Sequence, residues 1–169
     1  MDRADGEPDD WRGWLARHGA ALVLFARQWA SSHADAEDAV QEGFVRFWRC
    51  RKRADDATAY LYACVRGVAI EMSRSSLRRG RREHAGARDE RSPLFACPVE
   101  QDERRVAIES ALAELPAPQR EVVVMKIWGG LTFPQIAAAL DVPSDTAASR
   151  YRYAVAKLRE QLAEEPSRG

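Results

Sequence analysis

Apolar side chains recur at helical spacing along almost the whole chain, and strand-like alternation is nearly absent. Residues 11–30 place Trp11, Leu15, Leu22, Phe25, Ala26 and Trp29 on one stripe, which predicts an amphipathic helix. A second helix is expected to start near Asp35, which can cap it, with Glu37 and Asp38 suited to its positive end. Its apolar face is Ala36, Val40, Phe44, Phe47 and Trp48. A third runs from about Ala57 to about Arg79 with Leu61, Val65, Val68, Ala69 and Met72 inward. Residues 80–99 break this rhythm with two Gly, two Pro and dense mixed charge, and read as a linker in which Leu94 and Phe95 could dock on a neighbour. The periodicity resumes after Glu100 with Val106, Ile108, Leu112 and Leu115, until Pro116 and Pro118 stop one helix and open the next. The expected fold class is all-α: two small helical domains joined by a linker.

A length of 169 residues suits that arrangement. The charge balance needs unpacking, because 26 basic and 26 acidic groups sum to zero. Residues 1–45 hold 4 basic and 9 acidic groups, a net of −5. Residues 46–82 hold 11 and 3, a net of +8, and residues 83–169 hold 11 and 14, a net of −3. Such asymmetry points to polyanion or protein-surface contacts. The longest near-unbroken apolar run, Gly19 to Ala26, is far below the roughly 20 residues of a membrane span. The acidic first ten residues lack the apolar core of a signal peptide and are expected to be a disordered tail. Cys50, Cys64 and Cys97 form no CxxC pair, so reduced thiols in a cytoplasm are the simplest reading. The last periodic leucine lies seven residues from the end, which predicts no appended C-terminal sensor domain.

The most specific stretch is 119–162. Gln119 to Trp128 reads as a helix ended by Gly129-Gly130. Thr132 then caps a short helix, Phe133 to Leu140, with Ile136, Ala137 and Leu140 buried. Asp141-Val142-Pro143 breaks the chain, with Asp141 at a position that often needs positive φ. Ser144 or Asp145 caps a longer helix to about Leu162. Two helices so joined have helix-turn-helix spacing, with the small Ala137 where they approach. On the second helix Ala147, Tyr151, Ala154, Val155, Leu158 and Leu162 should be core. Thr146, Ser149, Arg150, Arg152 and Tyr153 lie toward the other side, where hydroxyls and guanidinia reach bases and phosphates. An ordinary helical hairpin with a solvated face has the same spacing.

At these residues the sequence resembles a family. The run LPAPQREVVVMKIWGGLTFPQIAAALDVPSDTAASRYRYAVAKLREQL resembles domain 4 of bacterial RNA polymerase sigma factors. HADAEDAVQEGFVRFWR and ATAYLYACVRGVAIEMSRSSLRRGRRE resemble successive segments of sigma domain 2. Their order and the short linker match the extracytoplasmic-function (ECF) subgroup, over roughly residues 11–162. The resemblance implies sigma domain 2 at 11–82, a linker at 83–99 and domain 4 at 100–164. It implies docking on the clamp helices of the largest polymerase subunit by Asp35, Glu37, Asp38, Gln41 and Glu42, and a further contact with the polymerase flap. It implies −10 promoter binding by Arg49, Lys52, Arg53, Tyr60, Tyr62, Arg66, Arg74 and Arg78, with Arg51, Arg79, Arg81 and Arg82 extending the basic track. Basic grooves with aromatic platforms suit single-stranded DNA. It implies −35 recognition by Thr132, Ser144, Thr146, Ser149, Arg150, Arg152 and Tyr153. Many relatives carry Asn at the position of Gly67, Trp at that of Tyr60, and a basic or polar residue at that of Ala148. Core RNA polymerase and promoter DNA are the implied partners, with an anti-sigma factor as a candidate third.

Two other classes remain to be weighed. A stand-alone helix-turn-helix regulator would leave the N-terminal bundle without a role, and such proteins usually dimerise on half-sites. An enzyme or metal protein fits less well, because Cys64, His84 and Cys97 match no usual zinc spacing and no phosphate loop or nucleophile motif occurs. His18 and His33 show no partner in the sequence. No cofactor, metal, catalytic residue or membrane contact is expected.

Overall fold

The computed structural model describes residues 10–82 and 103–164, and every regular element among them is helical. The helices are α1 (Trp11–Ala26), α2 (His33–Cys50), α3 (Ala57–Arg82), α4 (Glu103–Ala113), α5 (Ala117–Ile127), α6 (Phe133–Leu140) and α7 (Ser144–Glu164). A 3-10 turn, Arg51–Arg53, links α2 to α3. The acidic tail, Leu94, Phe95, His84 and Cys97 fall outside the described residues.

Local chemistry sets the helix ends. Ser32, not Asp35, caps α2: its backbone is extended and its hydroxyl accepts from Asp35 N–H at 3.1 Å. Asp35 therefore sits in the first turn, where its charge faces the helix dipole. Asp56 caps α3, its carboxylate accepting from Ala59 N–H at 2.8 Å. Pro116 and Pro118 open α5, and Gly130 follows it at φ 67°. Thr132 and Gln135 form a reciprocal capping box on α6. Asp141 ends α6 in the left-handed region at φ 54°, as its place in the turn predicts. The α7 helix begins at Ser144, with the Pro143 carbonyl accepting from Thr146 and Ala147 N–H.

In the first unit α2 packs on α3, with α1 across both. Phe25, Phe47, Leu61, Tyr62 and Val65 are fully buried. Burying each such side chain contributes about 1.5–3 kcal/mol. The tightest approach is at Gly43, where an added Cβ would lie 2.7 Å from the Val65 Cα and Cγ2. Trp11 and Leu15, expected inward, are exposed at the start of α1. A periodic stripe identifies a helix face and not how far along it the neighbours extend.

In the second unit α5, α6 and α4 pack on α7. Leu112, Leu115, Val123 and Ala154 form one cluster. Leu162, also expected inward, is exposed beyond it. The remaining apolar residues of α5 and α6 do not close on themselves. Val122, Met125, Leu131 and Ile136 join the same cluster as Phe25, Tyr62 and Val65, so α6 packs on α3 and α5 on α1.

Two outcomes follow from this packing. Gly43→Ala gains about 1 kcal/mol of helix propensity, and overpacking against a backbone costs about 1–3 kcal/mol. The net is expected to be a lower thermal midpoint, measured by circular dichroism; a raised midpoint would mean that α2 and α3 separate freely. His18 lies buried in α1, its ring centroid 5.4 Å from that of Trp14 and 6.3 Å from that of Tyr62, perpendicular to it. Burial, then the Arg17 charge, holds its pKa below 6.5. The unfolded chain thus binds the proton more readily, so stability is full above about pH 6.5 and declines as pH falls below it. Denaturant titrations of wild type and His18→Leu between pH 7.5 and 5 should differ in this slope, and parallel profiles would disprove the assignment.

Candidate nucleic-acid and protein-docking surfaces

Three surfaces carry the chemistry that the sequence singled out. The first is the outer face of α2. Glu37, Asp38, Gln41 and Glu42 are exposed there, while Asp35 is half-buried beside a recess lined by Trp29, Ser31, Met72 and Arg79. Glu37 lies 3.2 Å from His33, and Glu42 lies 3.1 Å from Arg46. Val45 is exposed on the same stripe, at i+3 and i+4 from Glu42 and Gln41. It lies off the core stripe, so helical periodicity does not mark it. An apolar side chain among acids gives this face a contact area that a purely solvated face lacks.

The second surface is the basic track. Arg49, Lys52 and Arg53 are exposed around the 3-10 turn, and Arg74, Arg78 and Arg79 are exposed on the distal part of α3. Arg51 differs: its guanidinium lies 3.5 Å over the Trp48 ring and donates to the Trp48 carbonyl. The side chains of Arg81 and Arg82 are outside the described set. A recess of about 410 Å³ sits beside the turn, lined by Cys50, Arg53, Asp55, Asp56, Tyr60 and, from α6, Ala138. Tyr60 is half-buried against Phe47, and its hydrogen bond with the Cys64 thiol, then burial, pushes its pKa up to about 12. Burial also raises the Cys64 thiol.

Tyr62 and Arg66 do not join this track. Tyr62 has 0% exposure, and its hydroxyl has no hydrogen-bond partner among the described residues. That ring faces inward at the edge of a buried arc formed by positions 61, 62, 65, 68 and 69, where it packs on Phe25 and His18 of α1. Its hydroxyl end reaches the second unit. A Cβ on Gly129 would lie 2.6 Å from the Tyr62 Oη. Arg66 donates to both Glu121 oxygens, at 3.0 and 3.4 Å, and lies 5.9 Å over the Trp29 ring. In this arrangement Tyr62 is closed off, while Arg66, with its side chain 35% exposed, is engaged by a carboxylate.

The third surface is the start of α7. Ser144, Arg152 and Tyr153 are exposed, Tyr153 at 68%, and Thr146, Ser149 and Arg150 are half-buried. Arg152 donates to the Ser149 hydroxyl at 3.2 Å, which orients both toward the same side. Thr132 is exposed, but its hydroxyl is engaged by Gln135, at 3.3 Å to the backbone N–H and 3.2 Å to the side-chain oxygen. The α6–turn–α7 geometry, with α6 packed on α7 and Ala137 buried between, is that of a helix-turn-helix.

Comparison with known proteins decides what this frame is. Residues 14–82 match Sigma-70 region 2, and residues 105–158 match Sigma-70, region 4. The ECF RNA polymerase sigma factor SigL of Mycobacterium tuberculosis is 32% identical over 160 residues, covering 90% of this chain and 89% of that protein. This chain is an ECF sigma factor. Two solved structures share the fold at 24% identity. CnrH in complex with the cytosolic domain of CnrY has a TM-score of 0.64, over 92% of this chain and 88% of that one. RpoE in complex with the anti-sigma factor NepR, from Bartonella quintana, has a TM-score of 0.63, over 93% and 99%. Sigma factors are non-enzymatic, DNA-binding initiation factors. Among the described residues, no helix of this one is long and apolar enough to cross a membrane.

The sigma fold here therefore carries an orphaned phenol at its centre. A buried unsatisfied hydroxyl costs about 1–3 kcal/mol. Tyr62→Phe removes it without a change of shape and is expected to raise the thermal midpoint by about 2–4 °C. A fall of that size in a melting experiment would show that the hydroxyl makes a bond after all.

Proposed function

We propose that this sigma factor binds core RNA polymerase and directs initiation from a subset of promoters, acting in the cytoplasm without catalysis of its own. The observation that carries this reading is the placement of both sigma regions, in order, on a frame that exposes an acidic α2 face, a basic track and the start of α7 separately. Residues 11–82 serve as the polymerase- and −10-binding unit and 100–164 as the −35 unit. Residues 83–99 join them, and 1–10 form an acidic tail.

On α2, Asp35, Glu37, Asp38, Gln41 and Glu42 meet the clamp helices, with Val45 as the apolar contact in their midst. Arg49, Lys52, Arg53, Tyr60, Arg74 and Arg78 follow the opened −10 strand by charge and ring stacking. Tyr62 and Arg66 add to that set once freed from the second unit. Thr146, Ser149, Arg150, Arg152 and Tyr153, with Thr132 and Ser144 at the edge, read the −35 duplex. The second unit also meets the polymerase flap. An anti-sigma factor is a further partner, by analogy with the RpoE complex.

The test is in vitro transcription with core polymerase and mapping of the start sites. Wild type is expected to direct discrete starts that core alone does not produce. Asp38→Arg combined with Glu42→Arg places like charges where opposite ones should meet, which costs several kcal/mol. Affinity for core, measured by surface plasmon resonance, should fall at least about 100-fold, at about 1.4 kcal/mol for each tenfold. Unchanged affinity would remove α2 from the docking surface, and an absence of discrete starts would remove the functional reading itself.

A further inference from the structure

Two thiols and a phenol meet where α2 hands over to α3. Cys50 ends α2 and is exposed, and Cys64 lies half-buried about two turns into α3. Tyr60 stands one turn before Cys64 on the same face of that helix. With Cys50 and Arg53 it lines the recess of about 410 Å³ beside the 3-10 turn. Its hydroxyl is a hydrogen-bond partner of both thiols, Cys64 more strongly than Cys50. One phenol thus joins two sulfurs that are 14 positions apart, with the cationic turn Arg51–Arg53 between them in the chain. None of the surfaces described above uses either sulfur.

The two thiols are unequal. Oxidation of a thiol follows its access and its thiolate character. Cys50 opens to solvent at the rim of a recess wide enough to admit a small oxidant. Cys64 is packed against the apolar core, where burial keeps its proton on. The Tyr60 hydrogen bond and the Arg46 charge act in the opposite sense and favour its thiolate. An open sulfur beside a sheltered one is the arrangement in which the first is oxidised and the second resolves it.

We propose that Cys50 and Cys64 form a peroxide-responsive dithiol, and that closing it to a disulfide displaces Tyr60 from the −10 surface. In the first step the Cys50 thiolate attacks one oxygen of hydrogen peroxide and the O–O bond breaks. Cys50 becomes a sulfenic acid, and the departing hydroxide takes the proton that Cys50 released and leaves as water. The Cys64 thiolate then attacks the Cys50 sulfur. The S–O bond breaks, the S–S bond forms, and the hydroxide leaves as water with the Cys64 proton. Two thiols have lost two electrons, and one peroxide has become two waters. Covalent contact of the sulfurs removes both S–H groups, so the phenol loses its partners and its place beside them. The new bond also pins the end of α2 to α3 across the Arg51–Arg53 turn, which shifts the cations there. The effect on DNA rests on the function proposed above, whereas the disulfide itself does not.

The test uses the full-length chain with Cys97→Ser, which leaves these two thiols alone. The protein is treated with hydrogen peroxide, freed of it, and mapped by peptide mass without reduction. The Cys50 and Cys64 peptides should appear as one linked species from a single chain, and dithiothreitol should separate them. Oxidation of Cys50 alone to sulfinic acid, a link between two chains, or two thiols left free overturns the pair. Core polymerase is then added to the oxidised protein. Initiation from the mapped start sites should fall about 10-fold, the size of one lost base–ring stack, and return on reduction. Cys64→Ser keeps a hydroxyl for Tyr60 but cannot form the bond, so its initiation should be insensitive to the same treatment. Unchanged initiation by the linked protein, or an equal fall with Cys64→Ser, overturns the displacement of Tyr60. The linked peptide is read without polymerase or DNA, so its absence is distinct from a failure of the functional reading.

Discussion

Everything in this molecule depends on α3 being packed from two sides. One side meets α2 at a distance that only glycine permits, with Gly43 against the Val65 backbone. The other side meets α6, through Tyr62, Arg66 and the cap at Asp56. The apolar residues at 61, 62, 65, 68 and 69 span an arc of about 120° on α3, with Tyr62 at the edge that the second unit also covers. Tyr62 packs on Phe25 and His18 of α1 from one side and meets Gly129 of the second unit on the other. Burying it under the second unit gives a core larger than either unit has alone, which matters because small domains bury a smaller fraction of their surface.

The same feature sets up a competition between stability and recognition. Rings and guanidinia suited to stacking on bases and pairing with phosphates are equally suited to plugging an apolar pocket and gripping a carboxylate. Tyr62 and Arg66 do the second in the structure. The most open cations lie at the turn before α3 and along its distal half: Arg49, Lys52, Arg53, Arg74, Arg78 and Arg79. The division falls along the helix, with the middle packed on the second unit and both ends carrying exposed cations.

Much of the frame was legible from spacing and punctuation. The helix-turn-helix was marked by Gly129-Gly130, Thr132 and Asp141, and each does in the structure what its chemistry predicts: chain reversal, capping and left-handed backbone. The family could be read because two motifs stand in order. What escaped was whatever depends on a partner outside the element. Ser32 was passed over as the α2 cap, because Asp35 is as good a cap by residue type and only backbone geometry separates them. Leu15 and Leu162 continue their stripes past the end of their neighbours. The burial of Tyr62 is not legible locally because its cover comes from Phe25 and His18 about 40 positions earlier and from Gly129 more than 60 positions later.

Charge counted along the sequence overstates what a polyanion meets. The segment 46–82 has a net of +8, yet several of its cations are already engaged within the fold. Arg46 grips Glu71 at 3.0 and 3.2 Å and Glu42 at 3.1 Å, an arrangement that holds the Glu71 carboxyl below the usual range and raises the Arg46 guanidinium. Arg66 is neutralised by Glu121 from the second unit, and Arg51 is laid on Trp48. These three differ in kind. The Arg46 network is exposed and bridges α2 to α3 whatever the second unit does, so it belongs to the first unit's own architecture. The Arg66 pair exists only while the units touch. Separation would return one cation to the basic track and one carboxylate to α5, increasing the charge contrast between the units. The net charge that the basic track presents thus depends on whether the two units touch.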